Sequence, residues 1–126
     1  MIAHLEHANF TVTDPDVTAD WMCRLFGWKI RWTGAGMTSG RTVHVGTESH
    51  YLALFTYGDA QAAKAESYRT LGGLNHIAIT VDDLDAMEAK VKAEGFETGE
   101  HYDYEPGRRF YFQDGDGIEY EVVCYV

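Results

Sequence analysis

Basic residues are scarce in this chain. Ten Lys and Arg stand against twenty Asp and Glu, giving a formal net charge of −10 and a pI near 4.8. Such a surface repels the phosphate backbone and anionic lipid headgroups, which are held by clustered Lys and Arg, so neither nucleic acid nor membrane is expected as a partner. Long apolar runs are missing too. None approaches the roughly 20 residues needed to cross a bilayer, and the opening MIAHLEHA lacks a basic stretch followed by an apolar one. A soluble, cytoplasmic protein is expected. Cysteine occurs only twice, at Cys23 and Cys124. The two fit no zinc spacing and make no disulfide framework, so both are read as free thiols.

What is present is a repeat. LEHANFTV at residues 5–12 returns as LNHIAITV at residues 74–81, with a histidine at the same place in each. Each copy alternates as a strand does, and residues two apart share a face. Ala8, Phe10 and Val12 fall opposite Leu5, His7, Asn9 and Thr11. Ile77, Ile79 and Val81 fall opposite Leu74, His76, Ala78 and Thr80. Both histidines therefore stand opposite an apolar stripe.

The segments that follow match as well. TDPDVTADWMCRLFG offers Asp14 as helix cap, Pro15 at the first helical position, a stripe of Val17, Trp21 and Leu25, and Gly27 as terminator. DDLDAMEAKVKAEG offers Asp82 or Asp83 as cap, Leu84, Met87 and Val91 on one side, and Gly95 as terminator. Three strand-like runs come after each helix: WKIRWT, RTVHVG and HYLALFTY, then FETGEH, RRFYFQ and IEYEVVCYV. The expected fold is α+β. Two βαβββ modules, about 1–57 and 74–126, would curl into a sheet around a shared cleft with the helices outside. The connector, about 58–73, is Ala-rich and polar, and reads as one loose helix closed by Gly72 and Gly73. At 126 residues and 45% hydrophobic the chain is expected to form a single domain over 1–126.

Two imidazoles facing one cleft invite a third ligand. The last strand supplies Glu119 and Glu121 on one face, and a carboxylate turned inward is costly unless paired or coordinated. Two His and one carboxylate form the facial triad that holds Fe(II) or Mn(II) with positions left open. A single histidine on such a face is ordinarily a hydrogen-bonded structural residue, and the Glu119 and Glu121 pair could be solvated. The repetition of the histidine favours a site.

These modules, opened by LEHANFTV and LNHIAITV and closed by DGDGIEYEV, resemble the vicinal oxygen chelate superfamily over essentially the whole chain. That group includes glyoxalase I, methylmalonyl-CoA epimerase, the fosfomycin-resistance thiol transferases, the bleomycin-binding proteins and the type I extradiol dioxygenases. The resemblance implies metal ligands at His7, His76 and Glu121. Glyoxalase I and the epimerase draw a fourth ligand, Glu or Gln, from the strand here written HYLALFTY, which has neither at 51–57. Bleomycin-binding members lack the ligands, and fosfomycin enzymes continue past the glutamate with a cationic tail that is not found here.

The extradiol enzymes are the closest resemblance. Gly99 and His101, Phe110 and Tyr111, then Gly117 and Glu121 follow the order of their closing motif, with a longer gap before Phe110 and Gly115 in place of a proline. VHVGTESHYLALF is similar to the segment carrying their acid–base histidine, which falls on His50. The resemblance thus implies Fe(II) as the favoured metal, with Mn, Ni, Zn or Co as alternatives, and a catechol-type small-molecule substrate. Its catalytic residues would be His50 for proton transfer, Tyr111 toward the substrate oxygen, and His101 orienting the distal end or supporting the site. A glyoxalase-type isomerase or lyase and a non-catalytic drug-sequestering protein are the alternatives. His44 is read as structural. Arg108 and Arg109 are open between pairing with the chain's own carboxylates and holding a substrate carboxylate. Superfamily members commonly dimerise, and a homodimer is expected.

Overall fold

The structure is a computed structural model that describes residues 1–35, 39–104 and 107–126; the side chains of Glu100 and Tyr104 are outside the description. The chain divides into two compact units, Met1–Ala62 and Ala63–Val126. Each has the expected βαβββ order.

In the first unit β1 (His7–Thr11) leads to α1 (Pro15–Phe26), then to β2 (Lys29–Gly34), β3 (Arg41–Gly46) and β4 (Tyr51–Thr56). Helix α1 starts where the sequence signals it. The Asp14 carboxylate accepts from the amides of Asp16 and Val17, Pro15 opens the helix, and Gly27 ends it at φ 70°, a left-handed conformation that costs glycine little. The sheet runs β1-β4-β3-β2, with β1 parallel to β4 and the other pairs antiparallel. Helix α1 lies on β3 and β4. Trp21, Met22 and Leu25 are buried there, with Val43, Val45, Leu52 and Leu54 buried in the strands. Complete burial of Met22 or Leu25 contributes about 1.5–3 kcal/mol each. Val17 departs from the expected stripe: it is 59% exposed, and Thr18 and Met22 are buried instead. Trp21 and Leu25 of the expected stripe are buried, and the buried face widens toward Thr18 and Met22 rather than reaching Val17.

The second unit repeats the plan with β5 (Ile77–Thr80), α2 (Leu84–Ala93), β6 (Thr98–Tyr104), β7 (Gly107–Gln113) and β8 (Glu119–Cys124), in sheet order β5-β8-β7-β6. Of the two candidate caps it is Asp83 whose carboxylate accepts, from the amide of Ala86. Gly95 follows the helix at φ 98°. Leu84 and Val91 are buried on the α2 side with Phe110, Phe112, Tyr120 and Val122. The turn into β8 is tied by Asp114. Its carboxylate accepts from the amides of Asp116 and Ile118 and from the buried Tyr120 hydroxyl at 2.9 Å.

The connector is a correction. It contains only a short 3-10 turn, Ser67–Arg69, rather than a helix. Its alanines and polar residues carry no apolar stripe to bury, and a short isolated helix is marginal without one.

Register within each sheet shows which positions of the two modules correspond. β1 pairs His7 with Tyr51 and Asn9 with Ala53, whereas β5 pairs Ile77 with Tyr120 and Ala78 with Glu121. Position 53 of the first module therefore corresponds to position 121 of the second. An alanine stands where the other module has its carboxylate.

Candidate functional site

On the first unit's sheet, the face opposite α1 carries a row of rings. His7 stacks on Tyr51 with centroids 4.8 Å apart, Tyr51 stacks on His44 at 4.7 Å, and His44 meets Trp32 at 5.0 Å. The Arg31 guanidinium lies 4.3 Å over the Tyr51 ring, a cation–π contact. Glu6 closes the row. Its Oε1 accepts from His7 Nδ1 at 2.9 Å and from the Tyr51 hydroxyl at 3.0 Å. These bonds hold the Glu6 carboxyl below its usual range, the His7 bond having the larger effect. Burial, and then the charge of His7, pushes His44 downward. His44, read from sequence as structural, is thus part of the ring row beside His7, and Tyr51 was missed altogether.

His50 sits beside this row, in the turn between β3 and β4, and its residue is exposed. The turn is fixed by Thr47, whose amide donates to the His50 carbonyl at 2.8 Å and whose hydroxyl accepts from the His50 amide at 3.3 Å. The ring that stacks on His7 belongs to the next residue, Tyr51.

In the second unit His76, just ahead of β5, meets β8. His76 Nε2 is 3.2 Å from Glu121 Oε2, and Glu121 Oε1 accepts from Arg109 Nη1 at 2.7 Å. The side chains of Glu121 and Arg109 are nearly buried, 9% and 12% exposed. Arg108 pairs with Asp85 at the surface. Both arginines therefore pair with the chain's own carboxylates. Tyr111 is the register partner of Glu121 and sets its ring edge-on to His76, centroids 6.1 Å apart.

Two further residues complete this corner. The Tyr68 hydroxyl, from the 3-10 turn, donates to Glu119 Oε1 at 2.9 Å and lies 3.0 Å from His76 Nδ1. The bond to Glu119 pushes the Tyr68 hydroxyl up to about 12, with burial adding to the shift. Hydrogen counting constrains the imidazole. Tyr68 and a neutral His76 bring two hydrogens to three short contacts, with Glu119, between each other and with Glu121. With the Tyr68 hydrogen on Glu119, its oxygen is left to accept from His76 Nδ1–H, and Nε2 of the neutral ring then faces Glu121 Oε2 with a lone pair. Two acceptors 3.2 Å apart repel unless a positive species joins them, either a second proton on the ring or a cation.

This pair fits a divalent ion. Donors each about 2.1 Å from one ion and at right angles to each other stand about 3.0 Å apart, close to the separation found. Arg109 occupies the other oxygen of Glu121 and so fixes which one is presented. Among the described residues, no group of three or more His, Cys, Asp or Glu is close enough together to hold a metal.

His101 is placed elsewhere. It pairs with Phe110, whose ring is in the core beneath α2, and its Nε2 is 2.8 Å from Glu88 Oε2 of that helix. It stands on the α2 side of the sheet, away from the face of Glu121 and Tyr111. The structure does not bring it together with Glu121 and Tyr111, its neighbours in the motif order: a register shift between Thr98 and His101 places it opposite Phe110. Glu88 also accepts from Thr98, and with His101 these bonds lower its carboxyl against the opposing effect of burial, the largest single influence.

A cavity of about 1060 Å³ adjoins the corner, lined in part by Tyr68, Tyr102, Tyr111, Glu119 and Phe112. No Lys or Arg lines it among the described residues. No helix is long and apolar enough to cross a membrane among the described residues.

Known proteins give this arrangement its context. The family described as Glyoxalase/Bleomycin resistance protein/Dioxygenase superfamily matches residues 4–122. No curated protein matches the chain. Solved structures do. A glyoxylase/bleomycin resistance protein/dioxygenase domain from Frankia sp. EAN1pec superposes with a TM-score of 0.82 at 21% identity, covering 100% of this chain and 94% of that one. The fosfomycin resistance protein FosX from Listeria monocytogenes, complexed with Mn(II) and sulfate, gives 0.75 at 19% identity, covering 100% and 93%. TnmS3, an antibiotic binding protein from Streptomyces sp. CB03234, gives 0.76 at 20% identity, covering 99% and 98%. At these identities the likeness is one of fold.

Proposed function

The chain belongs to the Glyoxalase/Bleomycin resistance protein/Dioxygenase superfamily, and from that premise we propose that it is a divalent-metal enzyme acting on a small molecule that chelates through neighbouring oxygens. One observation carries the reading: His76 Nε2 and Glu121 Oε2 stand 3.2 Å apart, with Nδ1 in contact with the Tyr68 hydroxyl at 3.0 Å. His7 is the third ligand in this proposal. Iron is the favoured ion, with manganese, nickel, zinc and cobalt as substitutes. When bound, the ion supplies a Lewis acid that gathers the two substrate oxygens.

The specific activity proposed is ring opening of a catechol-type substrate. Tyr111, beside Glu121 on the neighbouring strand, directs its hydroxyl to a substrate oxygen. His50 moves the proton. His101 has no part in the proposal, being held by Glu88. The cavity lining suits an uncharged ring: Tyr68, Tyr102 and Tyr111 offer hydroxyls and ring faces, and Glu119 disfavours an anion. The lack of Lys and Arg in that lining speaks against a phosphonate substrate. A glyoxalase-type isomerase is disfavoured by Ala53, which stands where a fourth ligand would be. A homodimer is part of the proposal.

The row Trp32, His44, Tyr51 and His7 supports a second reading, in which a planar aromatic molecule is stacked and sequestered without turnover. One experiment separates the two. Protein loaded with Fe(II) under reducing conditions is given a panel of catechols in air. The yellow absorbance of a ring-opened product is expected for the enzyme. Catechol binding with no product and no retained metal would leave only sequestration.

A further inference from the structure

The His76 corner has a counterpart at His7. There Nδ1 donates to Glu6 Oε1, and the same oxygen accepts from the Tyr51 hydroxyl. Glu6 can only accept, so the hydrogen in that bond belongs to His7. Both repeated histidines therefore have Nδ1 committed to a Tyr–Glu pair. The order differs. At His7 the glutamate touches the ring and the tyrosine braces the glutamate, whereas at His76 the tyrosine touches the ring and the glutamate braces the tyrosine.

The positions that supply these pairs are also exchanged. Tyr51 is the register partner of His7 on β4, and its glutamate comes from the residue before the histidine. Glu119, at the start of β8, stands in the corresponding place in the second module, and its tyrosine comes from the connector. The octapeptide repeat does not explain this, because Glu6 is Asn75 in the second copy. Two different sets of residues arrive at the same result.

We propose that Glu6 with Tyr51, and Tyr68 with Glu119, are two clamps that fix His7 and His76 in the Nδ1–H tautomer, each leaving Nε2 bare to bind the ion. They are positioning residues. A neutral histidine free in solution samples both tautomers and many ring orientations, and a clamp removes that freedom before the metal arrives. Loss of such a partner typically costs about 10–100-fold in metal affinity. The inference rests on the metal reading above, but its first measurement does not require a metal.

Nitrogen-15 NMR of the metal-free protein at pH 8.5 reads the tautomer of each histidine. Wild type should show His7 and His76 protonated at Nδ1. Tyr68→Phe should move His76 toward a mixture and leave His7 unchanged, while Glu6→Ala, which removes the acceptor, should move His7 and leave His76 unchanged. Titration with Mn(II) followed by calorimetry should then show affinity about 10–100-fold weaker in each variant. Tyr57→Phe, at an exposed tyrosine outside both clamps, should alter neither readout, and far-UV circular dichroism should be the same for all. Wild type with either histidine protonated at Nε2, or Tyr68→Phe with an unchanged tautomer and unchanged affinity, overturns the clamps. Correct tautomers in a wild type that binds no Mn(II) overturn the metal reading instead.

Discussion

Replacement of Arg109 by Met tests how the site corner is stabilised. Arg109 and Glu121 are 2.7 Å apart and nearly shielded from water. Removing one member of a buried pair typically costs about 3–5 kcal/mol, because the other charge stays buried without compensation. Glu121 retains His76 Nε2 at 3.2 Å, which can donate once the ring takes a second proton, so the loss should fall to about 2–3 kcal/mol. For a chain of this length that lowers the melting temperature by about 8–12 °C. The assay is thermal unfolding followed by circular dichroism at pH 7 in EDTA. The double variant Arg109→Met with Glu121→Gln, which removes the stranded charge, should recover part of the loss. Mn(II) at about 100 times its dissociation constant should return about 2.7 kcal/mol to the single variant. A shift under about 3 °C, or a double variant no more stable than the single one, would refute the idea of a buried, compensated carboxylate.

Two other outcomes are expected. His50→Gln should keep the metal and still bind catechol while turnover falls by roughly 10²–10⁴-fold, the usual contribution of a positioned proton-transfer group; unchanged turnover removes His50 from the reaction. Tyr68 titrates late because its hydrogen is held by Glu119, with a folded value pushed up to about 12 from 10. A raised value means the stabilising bond is complete below pH 10 and is lost as pH climbs through 12. The phenolate absorbance of wild type minus that of Tyr68→Phe should therefore rise near pH 12, and a rise near pH 10 would show the hydroxyl to be free.

Much of the fold could be read from short-range pattern. Asp14, Pro15 and Gly27 mark the ends of α1 by local chemistry, and the alternation in LEHANFTV and LNHIAITV requires only neighbours two apart. The residues whose surroundings the sequence does not reveal depend on contacts far along the chain. Tyr68 lies in a connector with no periodicity, and it matters because the turn at Ser67–Arg69 brings it to Glu119, 51 residues on. His101 looked like a neighbour of Tyr111 and Glu121 in the motif order. One register shift in β6 puts it on the other face, and no propensity announces that. Alternation alone does not distinguish Glu119 from Glu121; the resemblance singles out Glu121, and the structure gives the two different partners, tyrosine for Glu119 and arginine with histidine for Glu121. The Tyr51 ring beside His7 could have been anticipated, since parallel pairing of the first and fourth strands brings the two residues into register.

His7, His76 and Glu121 are proposed to hold one divalent ion. The direct measurement is pulsed electron paramagnetic resonance of Mn(II)-loaded protein, in which each coordinated imidazole modulates the echo. Wild type should bind one Mn(II) per chain with two imidazole nitrogens, His7→Ala and His76→Ala should each show one or lose the ion, and Glu121→Ala should lose it. Wild type showing a single imidazole, or keeping both after either histidine is replaced, would rule out this ligand set.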